Sequence, residues 1–178
     1  MTVQSEQAGD LTDPAALRRG YGAFATGVTV VTVGGAAPHA MTANSFATVS
    51  LDPPLVLVCV GRDALMHEAL AATGHFGISV LASHQEPVAR YYADRRRPLG
   101  QEQFHYTGWA PGPRTQAPLL IGAAAHLECQ LWRSYDGGDH TIFLGRLLGM
   151  RRHLEDDALL FLGGKFRQLD LDRTGAVT

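Results

Sequence analysis

The feature of this chain that most constrains its fold is the order of its strand-like segments. These segments follow one another through turns instead of alternating with helices. Gly27–Val33 is rich in β-branched residues, and Leu55–Val60 is a nearly unbroken apolar run that predicts a strand buried on both faces. The other strand-like segments are Ser45–Ser50, Phe76–Leu81, Leu127–Trp132, Thr141–Leu148 and a closing hairpin of Ala158–Leu162 and Phe166–Leu169. This order argues against a Rossmann-type sheet. It predicts a mainly β fold, a closed or nearly closed antiparallel barrel with few exposed strand edges.

Short helices and one long loop are expected between these strands. Asp13 can cap a helix that runs to about Tyr21. Asp63 can cap a second helix that runs through Ala72. Residues 94–118 are charged, rich in glycine and proline, and aperiodic, which indicates a functional loop or a mobile flap.

Composition places the chain among globular proteins of ordinary size. Its 178 residues are 46% hydrophobic and 18% charged, and we expect one domain over residues 13–172 after a flexible tail of residues 1–12. The formal net charge of −2 gives no reason to expect nucleic acid or an anionic membrane as a partner. Cys59 and Cys129 lie in apolar strand-like runs, as buried thiols do in a reducing compartment. We therefore expect a cytoplasmic protein without a membrane span and without a metal site.

The stretch from His39 to Arg62 has the composition of a ligand-binding cradle. Its first half is rich in small and hydroxylated side chains, namely Thr42, Ala43, Asn44, Ser45, Ala47, Thr48 and Ser50. Small residues let a flat ligand approach the backbone closely, while hydroxyl and amide groups supply donors for carbonyl and phosphate oxygens. A tight hairpin whose small residues merely permit close packing explains the composition equally well. The residues alone leave both interpretations open.

Two further features bear on ligand binding, and each also has a simpler structural explanation. Arg62 directly follows the apolar strand, where its guanidinium could bind a phosphate group or form a surface ion pair. Gly138-Asp139-His140 stands at the start of a strand, as a binding motif or as a hairpin turn followed by a strand-edge histidine. Gly20–Ala25 matches the spacing G-x-G-x-x-A, but it follows a predicted helix and precedes a strand. Because this is the reverse of a dinucleotide-binding fingerprint, we reject that motif.

Four blocks of sequence occur together and in one order along the chain. They are FATGVTVVT (Phe24–Thr32), MTANSFATVSLDPPLVLVCV (Met41–Val60), FGISVL (Phe76–Leu81) and YDGGDHTIFLGR (Tyr135–Arg146). Through these blocks the chain resembles the flavin reductase-like family over about residues 15–170. The resemblance implies an FMN-binding split barrel, an antiparallel Greek-key type barrel of six or seven strands. It also implies the reductase component of a two-component flavin-dependent monooxygenase.

The same resemblance implies positions for the site residues. Along the flavin ring and its ribityl chain would lie Met41, Thr42, Ala43, Asn44 and Ser45. The ring edge and the phosphate would be surrounded by Ser50, Leu51, Cys59, Val60 and Arg62. The C-terminal hairpin would close over the flavin with Lys165 and Phe166. The nicotinamide nucleotide would be bound by Gly138 and Asp139, with His140 as the catalytic residue that positions the nicotinamide ring.

The activity that the resemblance implies is reduction of FMN or FAD by NADH or NADPH through hydride transfer. Reduced flavin would then pass to a partner monooxygenase. The resemblance also implies a homodimer, in which the half-open side of the barrel completes each flavin site. Two alternatives remain open at this point. One is a flavin-binding electron-transfer protein that holds FMN tightly and has no NADH activity, and the other is a barrel that serves only as an interaction module.

Overall fold

The computed structural model describes residues 10–153 and 157–168 of the chain. The predicted tail over residues 1–9 and the end of the predicted domain over residues 169–172 lie outside this part. In chain order the strands of the described residues are β1 (Thr26–Gly27), β2 (Thr29–Val33), β3 (His39–Ala43), β4 (Phe46–Leu51), β5 (Pro54–Gly61), β6 (His75–Val80), β7 (Trp109–Pro111), β8 (Pro118–Leu120), β9 (Ala125–Gly137), β10 (His140–Arg152), β11 (Leu160–Leu162) and β12 (Lys165–Arg167). The helices are α1 (Pro14–Tyr21), α2 (Leu65–Thr73) and α3 (Glu86–Ala93), with 3-10 helices at Ser83–Gln85 and Gly100–Tyr106.

Seven strands form one antiparallel sheet in the order β3-β2-β6-β9-β10-β5-β4. The two edge strands, β3 and β4, are consecutive in the chain and are joined by only Asn44 and Ser45. The Ser45 hydroxyl donates to the Cys59 carbonyl oxygen at 2.8 Å and accepts from the Cys59 N–H at 3.2 Å, which ties this link to β5. Within the described residues β3 and β4 share no strand pairing, so the barrel is split at this seam. The predicted mainly β, antiparallel split barrel is confirmed.

β2 is buried on both faces along its whole length, whereas β5 is not buried on both faces as the sequence predicted. Every residue of β2 is buried, because the barrel interior covers one of its faces and a layer containing α3 covers the other. In β5 the buried residues alternate, with Val56, Val58 and Val60 pointing into the barrel and the residues between them partly exposed. An unbroken apolar run did not distinguish a central strand from one with a half-exposed outer face, since both favour β-branched residues.

The first predicted helix cap is confirmed and the second is wrong. The Asp13 carboxylate accepts hydrogen bonds from the first turn of α1, from Ala15 N–H at 2.8 Å and Ala16 N–H at 3.1 Å. Asp63 lies one residue too early to cap α2, which begins at Leu65, and its carboxylate instead forms an ion pair with Arg95 at 3.1 Å. No helix of residues 10–153 and 157–168 is long and apolar enough to cross a membrane.

The charged stretch over residues 94–118 is anchored against β3. Gln103 is fully buried within it, and its side chain accepts from the Ala40 N–H at 3.0 Å and donates to the Pro38 carbonyl oxygen at 3.0 Å. Phe104 packs beside Gln103 in the second apolar cluster, at 2% exposure. Because a buried amide that satisfies backbone groups fixes their position, this loop holds its arginines at a defined distance from β3.

Candidate functional site

A cavity of about 670 Å³ opens at the seam of the barrel, between β3, the start of α2 and the β9–β10 turn. Nine of the residues that the sequence assigned to a binding site line this cavity: Met41, Thr42, Ala43, Asn44, Ser45, Cys59, Arg62, Asp139 and His140. The barrel therefore brings together two motifs that are almost a hundred residues apart in the chain. We call Met41–Ser45 with Cys59 the inner wall, and Arg62, Asp63, Arg95, Asp139 and His140 the rim.

The remaining assigned residues lie outside the lining of this cavity. Ser50 and Leu51 occupy the far end of β4, where Leu51 is 96% exposed, and Val60 points into the barrel with no exposed surface. Gly138 forms the β9–β10 turn with φ +78°. Lys165 and Phe166 belong to the C-terminal hairpin, where Phe166 packs on Phe161 and under the Arg90 guanidinium. The roles of these residues toward a ligand stay predictions.

The hydroxyl groups of the inner wall are engaged within the fold. Thr42 Oγ1 donates to the Ala89 carbonyl oxygen of α3 at 2.7 Å, and the Ser45 hydroxyl is bound to β5 as described above. These hydroxyls were expected to donate to a ligand, but each is used to hold two elements together. By contrast, the backbone N–H groups of Asn44 and Ser45 have no hydrogen-bond partner among the described residues. The inner wall therefore offers backbone donors to a ligand.

Cys59 contributes an apolar surface to the inner wall. Burial raises the pKa of its thiol above the ordinary value, so the thiol stays protonated at neutral pH. A protonated thiol is a poor nucleophile and a poor metal ligand. Together with the methyl group of Ala43 and the thioether of Met41, it lets a flat ring approach the wall without a competing charge.

Arg62 is held by the turn that carries the Gly-Asp-His motif. Its Nε donates to the Gly138 carbonyl oxygen at 2.9 Å and its Nη2 donates to Asp136 Oδ1 at 2.9 Å. The Gly138 N–H and Arg62 together hold the pKa of the exposed Asp136 carboxyl below its usual value. Arg62 thus forms the surface ion pair that was one of its two alternatives, and it also lines the cavity, where phosphate binding stays a prediction.

His140 is oriented by its neighbour in sequence. Its Nδ1 lies 2.7 Å from Asp139 Oδ1, and this hydrogen bond lowers the pKa of the Asp139 carboxyl. A carboxylate can only accept, so the bond requires the proton on Nδ1 and leaves Nε2 as an acceptor in the neutral ring. Nε2 lies over Gly61, where an added Cβ would stand 3.7 Å away, so the absence of a side chain keeps this nitrogen accessible.

The sequence reasoning missed three charged residues of the cavity. Arg18 reaches it from α1, Asp63 follows β5, and Arg95 comes from the charged loop over residues 94–118. Asp63 and Arg95 pair with each other at 3.1 Å, whereas Arg18 has no ion pair among the described residues. Because Arg62 is paired with Asp136 and Arg95 with Asp63, Arg18 is the arginine of this cavity whose charge is least balanced, and it favours a phosphorylated ligand. The run Arg95-Arg96-Arg97 was the available signal, but sequence alone did not place it beside β3.

The chain is similar in sequence and in structure to several known proteins. The chain is 53% identical over 163 residues to an NADH-dependent FAD reductase of Streptomyces globisporus, covering 92% of this chain and 90% of that protein. The NADH:FAD oxidoreductase SgcE6 of Streptomyces globisporus C-1027, solved in complex with NAD and FAD fragments, superposes with a TM-score of 0.90 at 50% identity, over 94% of this chain and 99% of that one. BorF, the flavin reductase component of a bacterial two-component tryptophan halogenase, superposes with a TM-score of 0.86 at 60% identity, over 88% of this chain and 98% of that one. Residues 21–170 match the family described as the flavin reductase like domain, to which this chain therefore belongs.

Proposed function

We propose that this protein is an NADH-dependent flavin reductase that reduces FMN or FAD and supplies the reduced flavin to a partner oxygenase. The observation that carries the proposal is the single cavity that joins the inner wall, assigned to flavin, with Asp139 and His140, assigned to the nicotinamide nucleotide. A reductase that passes hydride between two ring systems needs both rings in one water-poor space. The names of the relatives support the same activity.

The residues of the cavity fit a flavin. Its volume of about 670 Å³ lies within the range of small-molecule sites. The unpartnered N–H groups of Asn44 and Ser45 would donate to ring carbonyl oxygens, and the small side chain of Ala43 leaves the backbone accessible. Arg18 and Arg95 would bind phosphate oxygens at the positive side of the cavity.

When both are bound, the reduced nicotinamide and the oxidised flavin supply the chemistry, a hydride transfer from one ring to the other. The protein's part is to bind, orient and stabilise charge. The backbone donors of Asn44 and Ser45 stand ready for negative charge at a carbonyl oxygen, and they need no reorganisation because the barrel seam fixes them. His140, whose ring is oriented by Asp139, would accept a hydrogen bond at Nε2 from the nicotinamide carboxamide.

The partner would be a flavin-dependent monooxygenase, the class that the family resemblance implies. BorF is itself one component of a two-component system, which supports a second protein as the acceptor of reduced flavin. In such a system the flavin must leave the reductase, so it should bind only moderately tightly. A cytoplasmic location is part of the same proposal, and the two free thiols of Cys59 and Cys129 agree with a reducing compartment.

We also propose that the protein is a homodimer through the outer face of β5 and β10. Leu57 pairs with Leu144 and Cys59 pairs with Ile142 across these strands, and the four side chains form a partly exposed apolar row. Cys59 also lines the cavity, so a second copy on this face would border the ligand site. Leu144→Arg should shift the mass in sedimentation equilibrium to that of a monomer and weaken flavin binding. A monomeric wild-type protein would refute the dimer.

The activity is tested by following NADH oxidation at its absorbance band with FMN, FAD and riboflavin side by side, and with NADPH in place of NADH. We expect NADH to be oxidised with FMN or FAD in catalytic turnover. The electron-transfer alternative predicts a yellow protein with bound FMN and no NADH oxidation. Absence of turnover with all three flavins would refute the reductase.

A further inference from the structure

The end of the β9–β10 hairpin, which carries Asp139 and His140, is not fixed by buried side chains. Every residue from Trp132 to His140 is exposed. The pairing of β10 with β5 reaches only to the pair of His140 with Gly61, so the turn extends beyond the barrel. Gly138 adopts φ +78° in this turn, and a glycine permits such a conformation without restricting the chain to it. The position of the turn must therefore be set by polar contacts.

Arg62 supplies these contacts from the end of β5. Its backbone N–H donates to the Asp139 carbonyl oxygen at 3.0 Å. Its side chain donates from Nε to the Gly138 carbonyl oxygen and from Nη2 to Asp136 Oδ1, each at 2.9 Å. The three acceptors belong to one turn, so Arg62 holds the turn from the side of β5. A planar guanidinium directs two donors at fixed angles, which a lysine ammonium does not reproduce.

Asp136 links the guanidinium to the backbone of the same turn. Its Oδ1 accepts from Arg62 Nη2 and also from the Gly138 N–H, each at 2.9 Å. The Asp136 side chain lies outside the lining of the main cavity. Its carboxylate therefore acts on the turn and not on a ligand in that cavity.

A second anchor follows His140 directly in the chain. Thr141 Oγ1 lies 2.8 Å from Nε2 of His67 on α2, and Thr141 is 8% exposed. His140 thus stands between a buried, hydrogen-bonded residue on one side and the turn held by Arg62 on the other. Loss of the Arg62 contacts would release only the turn side, so the effect should reach His140 without disrupting β10.

The contacts with the turn leave Arg62 little to offer a phosphate group. Bidentate binding of a phosphate uses two N–H groups on one edge of the guanidinium. In Arg62 the edge with Nε and Nη2 is occupied by the turn, and only Nη1 has no partner among the described residues. Arg18 lines the same cavity and forms no ion pair within the part of the chain that the structure describes. Arg18 is therefore better suited to a phosphate than Arg62.

We propose that Arg62 is a positioning residue, which holds the β9–β10 turn so that His140 stands over the cavity, and not a ligand of the flavin phosphate. The inference rests on the proposed function, in which His140 contacts the nicotinamide. Arg62 then acts on the affinity for the nicotinamide nucleotide through His140, and flavin binding does not depend on its charge.

Arg62→Ala tests the proposal, because it removes both side-chain bonds to the turn. We expect the KM for NADH and the Kd of NAD⁺ to rise about fivefold, with kcat within about twofold of the wild type. The ratio of the Kd values of riboflavin and FMN should stay within about twofold, because the flavin phosphate loses no partner. Steady-state kinetics gives KM and kcat, and titration calorimetry gives the Kd values. Arg19→Ala is the matched control, since Arg19 is exposed, pairs with Asp13 and lies outside the cavity lining.

Asp136→Asn separates the two roles of Arg62 without altering the cavity. The amide oxygen can still accept from the Gly138 N–H, but the charge that holds Arg62 is lost. We expect the KM for NADH to rise about twofold to threefold, with FMN affinity unchanged. If Arg62 were a phosphate ligand, its release from Asp136 would instead tighten FMN relative to riboflavin. This variant also serves if Arg62→Ala does not fold.

A double-mutant cycle with His140→Ala tests whether Arg62 acts through His140. In the His140→Ala background, Arg62→Ala should change the KM for NADH by less than about twofold, because the residue that it positions is gone. Additive effects, a selective loss of FMN affinity relative to riboflavin, or an unchanged KM in folded Arg62→Ala would overturn the proposal. A wild type that does not oxidise NADH refutes the reductase itself, whereas wild-type turnover with any of these results refutes only the role of Arg62.

Discussion

The two sides of the main cavity are built in different ways. In the inner wall, the hydroxyls of Thr42 and Ser45 bind carbonyl oxygens of α3 and β5, so the wall is part of the barrel's own hydrogen bonding. In the rim, the charged groups meet in exposed pairs such as Asp139 with His140, whose side chains are 93% and 47% exposed. A change in the inner wall should therefore reduce folding stability, whereas a change in the rim should alter ligand affinity and leave the fold intact.

The largest expected effect concerns His39, the first residue of the strand that carries the inner wall. Burial, and then the Arg97 charge, lower its pKa from 6.5 to about 4. The unfolded chain binds a proton near pH 6.5 and the folded chain only near pH 4, so stability falls as the pH drops through this window. His39 is only half buried, so the full loss in the free energy of unfolding is at most about 3 kcal/mol. Denaturant titrations across the window measure it.

A pair of histidine variants separates this effect from general acid destabilisation. His39→Gln removes the buried imidazole, so the part of the acid loss that belongs to His39 should disappear. His75→Gln removes an exposed imidazole from β6 and should leave the pH dependence as in the wild type. An identical pH dependence in wild type and His39→Gln would mean that the partial burial of His39 does not keep its imidazole uncharged.

The second effect breaks the seam of the inner wall. Ser45→Ala removes the hydroxyl that bonds both the N–H and the carbonyl oxygen of Cys59, which leaves two half-buried backbone groups without their partner. We expect a loss of about 2 kcal/mol in the free energy of unfolding. Flavin affinity should fall with it, because the Asn44 and Ser45 N–H groups lose their fixed position.

Ser50→Ala, on the strand β4 that follows Ser45, is the control for the seam. The Ser50 hydroxyl has no hydrogen bond among the residues that the structure describes, and it lies outside the cavity. Its removal should change stability by less than about 0.5 kcal/mol. Equal effects of the two substitutions in denaturant unfolding would argue that the Ser45 bonds do not hold the barrel at this point.

Sequence patterns predicted the barrel well because strand order and turn residues are local properties. The Asp13 cap, the β9–β10 turn and most of the predicted strand Gly27–Val33 were found where their residues indicated, although Val28 divides that strand into β1 and β2. The exposure of the outer face of β5 was not predicted, since an apolar run does not reveal which neighbours cover it. Whether a strand is central depends on pairing with distant segments.

The sequence identified many residues that line the cavity, but it did not predict which of their atoms are free to bind a ligand. Thr42 and Ser45 do line the cavity, but their hydroxyls face α3 and β5, and the backbone is left to face the ligand. Composition cannot tell a hydroxyl that binds a ligand from one that binds the protein, because both uses need the same group at the same position. Arg95 was missed for a related reason, since its loop is brought to β3 by the long-range hydrogen bonds that Gln103 and Arg97 form with Ala40.

The smallest expected effect lies in the rim and concerns His140. His140→Ala should raise the KM for NADH about tenfold, which is about 1.4 kcal/mol, and change flavin affinity by less than about twofold. The free energy of unfolding should stay within about 0.5 kcal/mol of the wild type, because the imidazole is half exposed and bonds only to Asp139. Steady-state kinetics and flavin titration on the same preparation measure both.

Asp139→Asn completes the comparison because it keeps His140 but weakens the hydrogen bond that orients the His140 ring. The amide oxygen can still accept from Nδ1, but it lacks the charge that makes the 2.7 Å bond strong, and the amide N–H can instead stabilise the other tautomer. We expect the KM for NADH to rise by less than in His140→Ala, with kcat nearly unchanged. A residue that merely held the turn would lower stability and flavin affinity together. Equal losses of flavin and NADH binding in both variants would therefore remove His140 from the nicotinamide site and leave the rim as structure alone.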